Sequence, residues 1–124
     1  MKKIILTAFL AVSVSAYSQW NIPAASPRQS VEQQFSMSKI SLDYGRPAVK
    51  GRKVFGELVP FGQVWRAGAN SATKITFEQS IDFGGKVVPA GTYGVFVIPQ
   101  EKAWKIILNN DANPWGASSY DERL

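Results

Sequence analysis

From Lys74 to Asp111 short apolar runs alternate with turn-forming residues, and this rhythm reads as β throughout. Ile75, Phe77, Ile81 and Phe83 share one parity, so Lys74–Phe83 reads as one long strand, straight or bulged. Gly84-Gly85 is a two-residue hairpin signal, and Val87-Val88 is the short return strand. Pro89-Ala90-Gly91 turns the chain again. Thr92–Ile98 is apolar on both parities, which predicts a central strand buried on both faces. Ala103–Asn109 alternates with Trp104, Ile106 and Leu108 inward, and Asn109-Asn110-Asp111 ends it in a turn. Upstream, Lys39–Tyr44 places Ile40, Leu42 and Tyr44 on one face of a half-buried strand. Short strands joined by Gly, Pro and Asn turns imply an all-β fold, an antiparallel β-sandwich or partly open barrel with a long ordered loop segment.

The N-terminus speaks for the compartment. Lys2 and Lys3 precede the apolar run Ile4–Val14, which is too short to span a bilayer, and small residues follow up to Ser18. That pattern predicts a signal peptide over 1–18, cleaved after Ala16 or Ser18, and an exported, periplasmic or secreted product. Stable membrane insertion is not expected after cleavage. Residues 19–36 then read as an extended leader, in which Ser30–Phe35 has weak helical character, and 37–124 as a single β domain. The closing Ser118–Leu124 leads toward a further strand, so the domain is expected to be truncated at its C-terminus. Zero cysteines in an exported chain mean no disulfide staple.

The absence of histidine and cysteine also narrows the chemistry. It removes the usual zinc and copper sites and the Ser-His-Asp and Cys-His nucleophile systems. No cofactor and no metal are expected. Among the carboxylates only Asp43 and Glu57 flank or lie inside the unusual part of the chain, and salt bridges to Arg46 or Arg66 are the expected use of both.

That unusual part is Tyr44–Thr73. It holds Arg46, Lys50, Arg52, Lys53 and Arg66 against Glu57 alone, interleaved with glycines, Pro47, Pro60 and the aromatics Tyr44, Phe55, Phe61 and Trp65. Its net charge of +4 is most of the chain's +5. The rest of the exported part is close to neutral, which argues against a general polyanion binder and against nucleic acid. Phe55–Leu58 reads as one short helical turn before Pro60. The segment predicts a cationic, aromatic-bearing loop on a β scaffold, where guanidinium groups grip carboxylate or phosphate and a ring stacks alongside. The competing reading has Arg46 and Arg66 bonded to loop carbonyls and Trp65 and Phe55 in the core. Candidate ligand-binding residues are Arg46, Lys50, Arg52, Trp65, Arg66 and Asn70, with Trp115 in the turn-rich tail. Asn70 also suits a structural role in the Gly68–Ser71 turn. Trp104 is expected to pack in the core. Four tryptophans (Trp20, Trp65, Trp104, Trp115) suit a carbohydrate platform as well as a small core without disulfides.

These residues carry a resemblance. Ser26-Pro27-Arg28 with Val31, Tyr44-Gly45-Arg46-Pro47 and Val49-Lys50-Gly51-Arg52 open it. Phe55-Gly56-Glu57-Leu58-Val59-Pro60, Val64-Trp65-Arg66-Ala67-Gly68-Ala69-Asn70 and Ala72-Thr73-Lys74-Ile75 continue it. Pro89-Ala90-Gly91-Thr92-Tyr93, Ile98-Pro99, Trp104 and Trp115-Gly116 complete it. Together they resemble the domain of unknown function 2911 family of exported bacterial proteins, over about residues 26–124. The resemblance implies a β-rich exported domain with no assigned activity, in proteins that often run on past this point. Gly45 and Ala67 stand where it implies a small hydroxyl residue. The expected function is a non-catalytic module that binds a carbohydrate or an anionic cell-envelope ligand through the 44–73 face. The alternatives are a carboxylate-dependent hydrolase or lyase on an acidic sugar, and an assembly module that docks a cell-envelope protein.

Overall fold

A computed structural model describes residues 22–113. The signal segment, Trp20, Trp115 and the 118–124 tail lie outside the described residues. The described chain has no helix. Its strands are β1 (Arg28–Phe35), β2 (Ser38–Gly45), β3 (Thr73–Phe77), β4 (Ile81–Phe83), β5 (Lys86–Val88), β6 (Gly91–Ile98) and β7 (Lys105–Asn109). Five of them form one sheet in the order β1-β2-β3-β6-β7, and β4-β5 form a separate two-stranded ribbon. Every strand pair is antiparallel, and the five-stranded sheet does not close into a barrel. The all-β expectation holds.

Register sorts the faces. Val31, Leu42, Ile75 and Tyr93 stand opposite one another across β1, β2, β3 and β6. The adjacent row on the other face runs Glu32, Ser41, Thr76, Thr92, with the two threonine hydroxyls 2.8 Å apart. One face is thus apolar and the other polar over the first four strands, as side-chain alternation demands. At the centre of β6 the division stops. Val95 and Val97 are buried on one face, and Phe96, 0% exposed, on the other. The both-face burial read for this strand is therefore met over its middle.

Three local readings are corrected. Ser30–Phe35 belongs to a strand, not a helix. Val31 and Phe35 lie four apart, a spacing that satisfies both the helical period and the strand period of two. Pairing with β2 chooses between them, through a two-residue turn at Ser36-Met37 with φ of 56° at Ser36. The Ser38 hydroxyl donates to the Phe35 carbonyl at 3.1 Å and closes that hairpin.

Lys74–Phe83 is not one strand. β3 ends at Phe77, where Glu78 takes over the link to β2: its carboxylate accepts the Lys39 N–H at 2.8 Å, and its own N–H donates to the Lys39 carbonyl at 3.3 Å. The chain then leaves the ladder and forms the β4-β5 ribbon. Gly84 (φ 63°) and Gly85 (φ 85°) supply the two left-handed residues of its turn, as Gly84-Gly85 predicts.

Trp104, just before β7, and Ile106 within it do not point into a closed core: they are 47% and 55% exposed. β7 flanks only β6 among the described strands, so half of its alternating face has no opposing layer.

The sheet leaves residues 46–72 as one long connection between β2 and β3. Connections of this length inside a compact domain usually carry function. This one is sewn down. The Gly62 N–H donates to the Pro99 carbonyl at 2.8 Å, and Trp65 exchanges both backbone hydrogen bonds with Val97, at 2.7 and 2.8 Å. The Ala69 N–H then returns to the Gly45 carbonyl at 3.3 Å. Gly45 permits that return, because a Cβ there would overlap the Ala69 carbonyl. A hydroxyl-bearing side chain has no space at this position in this chain.

Gly45→Ala is expected to lower stability by about 1–3 kcal/mol, since the loop must be pushed off the strand end. Ala67 holds φ of 57°, so Ala67→Gly is expected to raise stability by up to about 1 kcal/mol. Urea midpoints of the two variants against the parent check both signs.

Candidate functional site

The 46–72 connection opens with a tight turn. Lys50 and Gly51 both have positive φ (50° and 70°), and the Arg52 N–H closes on the Val49 carbonyl at 3.1 Å, which is a type I′ turn. The Arg52 side chain then folds back on it. Its Nε donates to Val49 O at 2.9 Å and its Nη2 to Ala48 O at 2.7 Å. The guanidinium is held in one place by two carbonyls of its own turn. Lys50 stays exposed at the tip.

The next piece, 53–59, is not the short helical turn expected. Val59 N–H bonds the Val54 carbonyl at 2.8 Å and Gly56 N–H bonds the Val59 carbonyl at 2.9 Å, which closes a wide loop. Gly56 at φ of 88° breaks any helical run. Val59 is buried beneath it, while Leu58 stays open. Phe55 is neither core nor free. Its ring meets Trp104 edge-on at 4.6 Å and Trp65 edge-on at 5.8 Å. Trp104 thus packs structurally, at a partly open cluster rather than in the core.

These segments enclose a cleft of about 590 Å³. Pro47, Val49, Val54, Leu58, Val59 and Trp65 give it apolar walls, and Arg52 and Arg66 are its only charged residues among the described residues. Arg66 is half-buried and donates from Nε to Gly68 O at 3.3 Å. A smaller cavity of about 300 Å³ adjoins it, lined by Lys50 and Arg52 with Ala25, Ser26, Pro47 and Ala48.

The candidate residues therefore fall into three groups. Arg52, Trp65 and Arg66 share the larger cleft, and Lys50 joins Arg52 in the smaller one. Arg46 and Asn70 line neither. Arg46 is exposed and reaches Gln29 Oε1 at 3.3 Å rather than a loop carbonyl. Asn70 sits at φ of 63° and donates to the Ser26 carbonyl at 3.4 Å, so it ties the loop to the N-terminal segment rather than to its own turn. Trp115 lies outside the described residues.

The carboxylates have other partners than those expected. Asp43 pairs with Arg28, and Glu57 with Lys53 at 3.3 Å, not with Arg46 or Arg66. Arg28 also reaches the carbonyls of Ser71 at 3.3 Å and Ala72 at 3.5 Å, so it joins β1, β2 and the end of the loop. Charge alone did not single out Arg28, which stands well before the cationic segment. The walls were also missed. Pro47–Val49 and Leu58-Val59 are apolar residues in a loop with no period to bury them, and that was their one signal.

The family model described as Protein of unknown function (DUF2911) matches residues 26–124. The chain belongs to this family. The match takes in the β1–β7 sheet, the cleft and Arg28 together. No match was found among curated proteins or among solved structures. For this DUF2911 domain, the loop that forms the cleft is thus the part to probe.

Arg28→Met is expected to cost about 1 kcal/mol, the modest size reflecting a half-exposed ion pair. Because Arg28 holds the loop end, limited proteolysis of the variant should cut within 66–72 faster than in the parent, while Lys53→Met should leave both measurements unchanged.

Proposed function

We propose that this DUF2911 domain is a binding module of the cell envelope that takes a small anionic ligand in the cleft beneath the 46–69 loop. One observation carries the reading: Arg52 and Arg66 line a cleft that has no carboxylate on its walls among the described residues. Two cations without a counter-charge, on a largely apolar wall, form a site where an anion is attracted and water is partly displaced. The signal-like residues 1–18 support a place outside the cytoplasm.

Binding is favoured over catalysis by the positions of the acids. A carboxylate-dependent hydrolase or lyase requires Asp43 or Glu57 in a pocket. Asp43 is engaged by Arg28, Glu57 is paired in solvent with Lys53, and neither lines the cleft. A glycan ligand gains less support than an anionic one, because among the described residues the side chains of the larger cleft bring few uncharged polar groups, the Ser26 hydroxyl and the Trp65 indole N–H.

The second reading, docking of a cell-envelope protein, also has an observation behind it. Phe55, Leu58, Phe61 and Trp104 are all exposed beside the cationic turn. Such a patch suits a protein contact.

Because Trp65 lines the cleft, tryptophan fluorescence titrated with a panel of anionic envelope components tests the leading reading. A saturable change is expected, weakened about tenfold or more by Arg52→Gln and by Arg66→Gln, with circular dichroism unchanged. No response to any anion on the panel would sink it.

A further inference from the structure

We infer that the ligand of this cleft is an amphipathic anion, a single charged head on an aliphatic body, and not a sugar acid. The inference rests on the binding reading above and names the class of molecule that fits it. The two cavities share Ser26, Pro47, Ala48 and Arg52, so both abut one guanidinium. On one side of Arg52 the smaller cavity adds Lys50, a second cation. The larger adds Arg66 and the mostly apolar wall of Val49, Val54, Leu58, Val59 and Trp65. Two cations, Lys50 and Arg52, stand on the smaller cavity, and the wall of the larger is mostly apolar apart from Arg52 and Arg66.

Arg52 is suited to hold a head group. Its Nε and Nη2 are committed to the Val49 and Ala48 carbonyls, which fixes the plane of the guanidinium. Its Nη1 has no hydrogen-bond partner among the described residues. An oxygen of a carboxylate or phosphate would meet that edge and the Lys50 ammonium together. The body of the ligand would then lie along the aliphatic wall.

A sugar ring fits that wall poorly. It carries hydroxyls around its rim, and each one buried without a partner is costly. Among the described residues the larger cleft offers few polar side-chain groups, those of Ser26, Arg52 and Arg66 and the Trp65 indole N–H, and the two carbonyls at the turn already accept from Arg52. An aliphatic chain needs none of these. At about 590 Å³ the cleft lies within the range of sites that accept small molecules of this kind.

The head chemistry is common to a fatty carboxylate and an alkyl phosphate, so the test uses both. Dodecanoate, dodecyl phosphate, hexanoate and galacturonate are titrated into the full chain by calorimetry, below their micelle concentrations. Saturation by dodecanoate or dodecyl phosphate is expected, and the tighter of the two identifies the head. Hexanoate should bind at least about a hundredfold more weakly, because each buried methylene changes affinity roughly fourfold. Arg52→Gln should weaken the long-chain anion about tenfold, and Leu58→Asn, at an exposed wall position, should also weaken it. Galacturonate binding tighter than dodecanoate, with dependence on Arg52, would overturn the amphipathic class and leave the anion site standing. Equal affinity for hexanoate and dodecanoate would overturn it too, as would long-chain binding that ignores both substitutions. If none of the four anions binds, both the class and the anion site fall.

Discussion

The mutual backbone pair between Trp65 and Val97 ties the middle of the 46–72 connection to the sheet, between the ties at Gly62–Pro99 and Ala69–Gly45. β3 runs beside β6 only as far as Thr73 opposite Val95. Beyond that point β6 would present unpaired N–H and C=O groups next to a buried centre, which is costly for backbone. Trp65 continues the line of β3 and satisfies them. By doing so it brings a long, glycine-rich connection onto the sheet and turns its side chain toward Phe55 and the cleft. Without that pair the walls supplied by Val54, Leu58 and Val59 would lose the middle tie to the sheet.

The far end of the connection depends on absence of bulk. Gly45 and Gly68 face each other where the loop meets β2: a Cβ on Gly45 would overlap Ala69, and one on Gly68 would press on Thr73 and on the Gly45 carbonyl. Arg28 then spans the seam from the strand side, reaching Asp43 and the carbonyls of Ser71 and Ala72. Close backbone approach and one long cation together fasten the seam in a chain that has no cysteine.

The sheet was legible because period-two alternation and turn chemistry act locally. Gly84-Gly85 announces its hairpin, and the apolar run of β6 announces a strand covered on both sides. The β1–β2 hairpin was harder to read, since Ser36-Met37 carries no glycine and the Val31–Phe35 spacing suits a helix equally. The break after Phe77 depends on Glu78 reaching Lys39, a contact between residues far apart in sequence. The cationic and aromatic composition pointed to the loop that lines the cleft and to Arg52, Trp65 and Arg66 on its wall. It did not separate these from Arg46 and Asn70, which lie in the same segment but bond to the N-terminal residues Gln29 and Ser26. That division arises from tertiary placement, on which local pattern is silent.

The folded-back Arg52 has a consequence for how quickly a partner is accepted. A lysine or arginine on a free stem must be frozen as it engages, and that ordering opposes binding. Here the turn has frozen the guanidinium already, through Val49 and Ala48. An arriving anion would meet a charge that is waiting in position, with no loop to rearrange. Capture would then be limited by encounter and steered by the local field, so it would slow as added salt screens Lys50 and Arg52.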